Sequence, residues 1–230
     1  MMRKHTVSTL ALTLLTVSGC SGSEEQPKPA ESKQSMCSQL LGESGMDWLK
    51  NETKGQELNF RSPEKPADAR TLFRQQAAAW EPDTTGDTPH FIDSELCQAR
   101  TKSASDTSPL TLRFGSSVAP FDTDFAKPVG DGIKRTAFEA GPDVKLVYWR
   151  ERTDGSMQYY AYIKCGVPGA AANQATEVPL RGHMTDGLTK DDSHRAHLQH
   201  LLHSTKVAAE EFGCTNKPDI PTTVPASVKD

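Results

Sequence analysis

Four histidines, His194, His197, His200 and His203, recur at every third position toward the C-terminal end of this 230-residue chain, with His183 just upstream. Imidazole is the commonest protein ligand for Zn, Cu and Ni, so the run invites a metal site. A three-residue step on a helix falls about 60° short of a full turn, so the row drifts around the axis and His194 and His203 point to nearly opposite sides. Only neighbours could share an ion. His197 with His200 is the candidate pair, completed by His183 or Asp191, with Zn or Cu as the implied cofactor. The competing reading is a solvated polar face that happens to be rich in histidine, since His200 and His203 lie away from the leucine stripe on the helical wheel. That reading is preferred and needs no cofactor.

Other catalytic patterns are incomplete. Gly115-Ser116-Ser117-Val118-Ala119 lacks the last glycine of a nucleophile elbow. The sequence holds no phosphate-binding Walker loop, no His-Glu-x-x-His and no Gly-x-Gly-x-x-Gly. Asp122, Asp124 and Asp131 are neighbouring carboxylates of the kind a glycosidase pairs, but they lack the Gly and Glu spacing of a calcium loop. No catalytic residue is assigned.

Five cysteines carry a different chemistry. Cys37, Cys97, Cys165 and Cys214 form an even set with no Cys-x-x-Cys pair, which favours disulfides over structural zinc. Three pairings are open to four cysteines. The order of elements favours Cys37 with Cys97 and Cys165 with Cys214, the second pair pinning the end of a long helix to the sheet. Each loop then spans fifty to sixty residues, for which chain entropy gives about 4 kcal/mol.

The fifth, Cys20, closes a different kind of segment. A basic start, Arg3-Lys4-His5, precedes an apolar run from Thr6 to Val17 of secretory-signal length, which ends in Ser18-Gly19-Cys20. The run is shorter than the roughly twenty apolar residues of a spanning helix and carries several threonines. Val17-Ser18-Gly19-Cys20 resembles the lipobox of bacterial lipoproteins. The resemblance covers the signal and Cys20 alone, and implies cleavage before Cys20, a diacylglyceryl group on its thiol and a membrane as partner. With the polar tether, the early Cys37 and a late helix ending at Gly213-Cys214, the chain is similar to uncharacterised lipoproteins of actinobacteria, which implies no activity.

The remaining organisation follows from composition. Residues 1–19 read as the signal, 20–35 as a lipidated disordered tether without large apolar side chains, 36–216 as one domain, and 217–230 as a loose proline-containing tail. Loss of the signal leaves 24 basic against 30 acidic residues, which argues against a nucleic-acid partner. Leu40, Leu41 and Trp48-Leu49 predict a helix interrupted near Gly42 and Gly45; Leu72, Phe73, Ala77 and Trp80 predict a second, opened by Pro66. Leu110, Leu112 and Phe114 alternate as in a strand. Val144–Arg152 and Met157–Cys165 read as a hairpin joined through Asp154-Gly155. Leu198, Leu201, Leu202, Ala208, Ala209 and Phe212 mark a long helix from about Lys190 to Phe212, capped by Thr189, Asp191 or Asp192 and ended by Gly213. The fold class is α+β, an antiparallel sheet with helices packed on it.

Tyr148, Trp149, Tyr159, Tyr160 and Tyr162 crowd the hairpin. A sugar-binding strip is one use for them, and packing within the sheet the commoner one. Three function classes follow. The first is a non-enzymatic envelope lipoprotein that presents a domain for binding an unknown envelope protein or small ligand. The others are a metal-handling lipoprotein that uses the histidine helix, and an extracellular hydrolase with a dispersed site.

Overall fold

A computed structural model describes residues 35–81, 90–102, 108–127 and 132–230. The elements in order are α1 (Met36–Glu52), β1 (Leu58–Arg61), α2 (Pro66–Ala78), β2 (Ser94–Thr101), β3 (Leu110–Ser116), β4 (Arg135–Glu139), β5 (Val144–Arg150), β6 (Met157–Ile163), α3 (Gln174–Glu177), β7 (Leu180–Asp186) and α4 (His194–Phe212). The fold is α+β, as expected. The strands form one antiparallel sheet in the order β1-β2-β3-β7-β6-β5-β4. Two three-stranded meanders, β1 to β3 and β4 to β6, are thus joined through the last strand, β7, which pairs with β3 on one side and β6 on the other. No helix among the described residues is long and apolar enough to cross a membrane.

Alternation sorts the strand residues. Leu112 and Phe114 of β3, Gly182 and Met184 of β7, and Tyr159 and Ala161 of β6 are matched across the ladders and face the helices. With Leu198, Leu201, Leu202 and Phe212 of α4, and Leu40, Leu41, Leu49 and Phe73 of α1 and α2, they make the main core. The hairpin forms as read, Arg150 opposite Met157, with Gly155 at φ 73° in its turn. Strand β2, which no sequence pattern marks, slips in register between Glu95 and Cys97. A bulge there hides the alternation.

Helix α4 begins at His194. Ser193 is its cap, its hydroxyl accepting from the Ala196 N–H at 3.0 Å, in place of the residues expected upstream. Gly213 ends it in the left-handed conformation at φ 68°. Where α4 crosses β7, a Cβ on Gly182 would lie 2.6 Å from Thr205 Oγ1 and 3.1 Å from Phe114. The close crossing requires glycine.

The disulfides are Cys37–Cys97 and Cys165–Cys214, the favoured pairing. One fastens α1 to β2; the other ties the chain leaving β6 to the end of α4. The expected loose tail is a correction. Val224 and Val228 are buried, Gln199 holds the Thr222 carbonyl at 2.8 Å and the Val224 N–H at 3.0 Å, and Arg195 donates to the carbonyls of Pro225 and Val228. Two valines supply too little for a sequence pattern, yet polar side chains of α4 fix the backbone between them, so 217–230 belong to the domain.

Two outcomes are expected from urea unfolding. Replacing Cys165 and Cys214 together by alanine should lower stability by about 4 kcal/mol, and non-reducing peptide mapping of the native protein should recover both pairs. Gly182→Ala should cost about 1–3 kcal/mol by over-packing the α4 crossing.

Candidate functional site

The histidine row lies along the contact between α4, the sheet and α1. A Cβ on Gly42, where α1 leaves helical geometry at φ 63°, would stand 2.7 Å from His203 Nε2, and one on Gly45 would stand 3.4 Å from His200 Nδ1. Trp48 stacks on His200 at 4.7 Å between centroids and meets His197 edge-on at 5.1 Å. Thus Gly42, Gly45 and Trp48, three apart on α1, receive His203, His200 and His197 in antiparallel order. At the other end, His194 stacks on Tyr148 at 4.1 Å, with its Nδ1 3.2 Å from the Tyr159 hydroxyl. The angular drift of the row carries it from the sheet to α1. The expected solvated face is therefore a correction: His197 and His200 are 1% and 8% exposed, because α1 covers the side that the wheel left to solvent.

One member of the candidate metal pair is committed elsewhere. His197 Nδ1 lies 2.7 Å from the Ser193 carbonyl and Nε2 2.9 Å from Asp186 Oδ2. Both neighbours accept, so both ring nitrogens carry protons and neither offers a lone pair to a metal or takes a proton as a base. His183 projects from the opposite face of the sheet, matched with Arg113 and Tyr160. Asp191 Oδ2 accepts the Trp48 indole N–H at 2.8 Å. Among the described residues no group of three or more His, Cys, Asp or Glu side chains could hold a metal ion.

Asp186 also accepts from the N–H groups of Leu188 and Thr189, at 2.8 and 2.9 Å, and from the Thr189 hydroxyl. Burial pushes its carboxyl up, but the hydrogen bonds from His197 and Thr189 outweigh burial and hold it below 3.8. Burial pushes His197 down; its bonds to Asp186 and Ser193 and the charges of Asp186 and Asp191 outweigh that and raise it above 6.5. His200 is pushed down to about 4, by burial first and then by the charges of His197 and His203.

The opposite face carries a row of stacked rings. Trp149, Tyr160 and His183 stand ring against ring, at 4.2 Å and 8° and then 4.3 Å and 4°, with the Arg135 guanidinium 5.1 Å over the outer face of Trp149. The aromatics of the hairpin are thus divided, Tyr148 and Tyr159 inward and Trp149, Tyr160 and Tyr162 outward. Their faces are spent on histidines, on Phe125 and, for Trp149 and Tyr160, on each other, which leaves no flat aromatic strip for a sugar. Residues 119–125 cover part of this face, Phe125 stacking on Tyr162 at 4.7 Å beside Phe121 and Val147. Lys145 fastens the cover, its Nζ donating to the carbonyls of Phe121 and Thr123 at 2.8 and 3.2 Å and pairing with Glu139. Beyond the cover, a cleft of about 420 Å³ opens over Thr111, Arg113, Gln158 and Thr185, walled by Asp154 and Ser156 of the hairpin turn.

The remaining candidates do not assemble into a catalytic group. Ser116 is fully buried, and the Ser117 hydroxyl donates to the Ala119 carbonyl at 2.8 Å. Asp131, Cys20, the signal and the tether up to residue 34 lie outside the described residues. Compared with protein-family models, curated proteins and solved structures, the chain matches none. The polar cleft was not legible beforehand, because its floor comes from three strands far apart in sequence and β7 reads as polar. The alternation of Thr111 and Arg113 with leucines was the available signal.

The pair's contribution to stability should be full between pH 3.8 and 6.5. It should fade as pH rises through the raised His197 value and as pH falls through the lowered Asp186 value. His200 acts oppositely, since acid between pH 6.5 and about 4 charges it more readily in the unfolded chain. His197→Ala should cost about 3–5 kcal/mol by leaving a buried carboxylate unpaired. His200→Phe, which keeps a ring on Trp48, should flatten the decline toward pH 4; urea unfolding across pH measures both.

Proposed function

We propose that this chain is an exported lipoprotein, held to the extracytoplasmic face of the cell membrane by lipid on Cys20, that presents a non-enzymatic domain for binding an envelope protein or a small ligand. The observation that carries the reading is the ordered run of basic start, apolar stretch and Ser18-Gly19-Cys20. The two disulfides support it, because such bonds persist in oxidising compartments outside the cytoplasm. Two acyl chains supply the stable anchoring that one does not, at about 0.8 kcal/mol per buried methylene.

The non-enzymatic part rests on the committed chemistry of His197, the best buried imidazole of the row. The buried His197–Asp186 pair has no free ring nitrogen with which to activate a nucleophile. Metal handling is not preferred for the same reason.

Mass spectrometry of the membrane-extracted protein should find the mature chain beginning at lipid-modified Cys20. Cys20→Ser should abolish the modification and move the protein from the detergent phase to the aqueous phase. Identical partitioning of variant and wild type would overturn the anchor. In-cell crosslinking of the anchored domain then identifies what it binds.

A further inference from the structure

We propose that the open cleft on the outer face of the sheet is a saccharide-binding site, an inference that rests on the reading of this domain as a binding module and names its ligand class. The cleft, of about 420 Å³, is floored by β3, β7 and β6 and walled by the β5–β6 turn. Its polar groups are held in place by one another. The hydroxyls of Thr111 and Thr185 meet at 2.6 Å across β3 and β7. Gln158 is clamped at both ends of its amide, donating to Ser156 Oγ at 2.7 Å and accepting from His183 Nε2 at 2.8 Å. Arg113 is braced by two bonds to Glu95 Oε2, at 3.0 and 2.7 Å, and Asp154 accepts the Ser156 N–H at 2.9 Å. Groups fixed in this way lose little rotamer freedom when a ligand arrives.

The composition of the walls selects the ligand. Hydroxyl and amide groups both donate and accept, and the Thr111–Thr185 contact consumes one of two hydroxyl protons. A ligand that is itself rich in hydroxyls meets that pattern. The Arg113 guanidinium is offset by Glu95, so no surplus positive charge awaits a phosphate or other polyanion. Pro109 is the one apolar side chain of any size on the lining, so the apolar surface there is the methyl and methylene groups of polar residues, which suits the C–H faces of a sugar ring. His183 backs Gln158 as a neutral ring; burial first, then the Arg181 and Arg113 charges, push it down to about 3, so its hydrogen bond holds through the physiological range.

The test is a titration of the folded domain with cellotetraose, chitotetraose and maltotetraose at up to millimolar concentration, followed by amide chemical shifts. Saturable shifts of Thr111, Gln158 and Thr185 with at least one of the three are expected, weakened about tenfold in Gln158→Ala and in Thr185→Val. Lys206→Ala, in a second cavity of about 480 Å³ beside the end of α4, is the control and should bind as wild type. Each variant's amide spectrum reports that it is folded. Absence of saturable shifts with all three sugars overturns the proposal, as do shifts at the α4 cavity or binding untouched by both cleft variants. The lipid assay on Cys20 is a separate readout, so the anchored binding module stands or falls independently of the cleft.

Discussion

Helix α4 can lie across the middle of the sheet only because β7 offers a bare backbone at Gly182, where Thr205 and Leu201 press in. Most of the other contacts on that side depend on this crossing. It sets the depth at which Leu198, Leu201 and Leu202 meet the sheet, each worth about 1.5–3 kcal/mol of burial. It fixes the distance between the first turn of α4 and the end of β7, and so allows His197 to reach Asp186. It also gives α1 and α2 a surface to pack on, with Phe73 of α2 against Phe212 and Trp48 of α1 against His200. The two disulfides then act at the ends of this arrangement, and neither lies at its centre.

The sheet divides residues of one type into two kinds of work. Tyr159 and Tyr160 are neighbours in sequence, yet Tyr159 stacks on buried His197 at 4.5 Å while Tyr160 stacks on His183 at 4.3 Å on the other side. The period of two in a strand is sufficient cause. Inward, His197 is consumed by carboxylate and carbonyl and His200 stacks on the indole of Trp48, so both serve the packing of α4. Outward, polar groups brace one another around an opening, which is the arrangement expected of a surface that receives a ligand.

Much of this was legible in the sequence, and what was missed has identifiable causes. The long helix, the hairpin, the Leu110–Phe114 strand and the Cys165–Cys214 pair each carried a strong local signal: a leucine stripe ended by glycine, Asp154-Gly155 between aromatic runs, strict alternation, and two cysteines at the ends of predicted elements. The central strand did not. Leu180-Arg181-Gly182-His183-Met184-Thr185-Asp186 carries a glycine that α4 demands and polar residues that the outer face demands, so no strand pattern stands out although it joins both halves of the sheet. Edge strands β1 and β4 were missed because they are short and only partly buried. The histidine row was read correctly for direction and wrongly for environment. A helical wheel reports angle but not what lies at each angle, and Gly42, Gly45 and Trp48 of α1 were too weak a pattern to mark α1 as the missing partner.

A buried imidazolium in the first turn of a helix is unfavourable on two counts, desolvation and the positive end of the helix dipole. The surroundings of α4 offset both with carboxylates from three separate segments. Asp186 arrives from the end of β7 and binds His197 directly. Asp191, in the approach to the helix, adds negative charge nearby while holding Trp48 of α1. Asp230 reaches back from the C-terminal segment, accepting from the Ser193 hydroxyl at 2.7 Å and the Arg195 N–H at 3.0 Å. Each carboxylate is itself favoured by the exposed N–H groups of the helix start. The same point in space therefore secures the central strand, α1 and the C-terminal segment to one helix, and the cation that looks least at home there is what allows a buried carboxylate from β7 to join them.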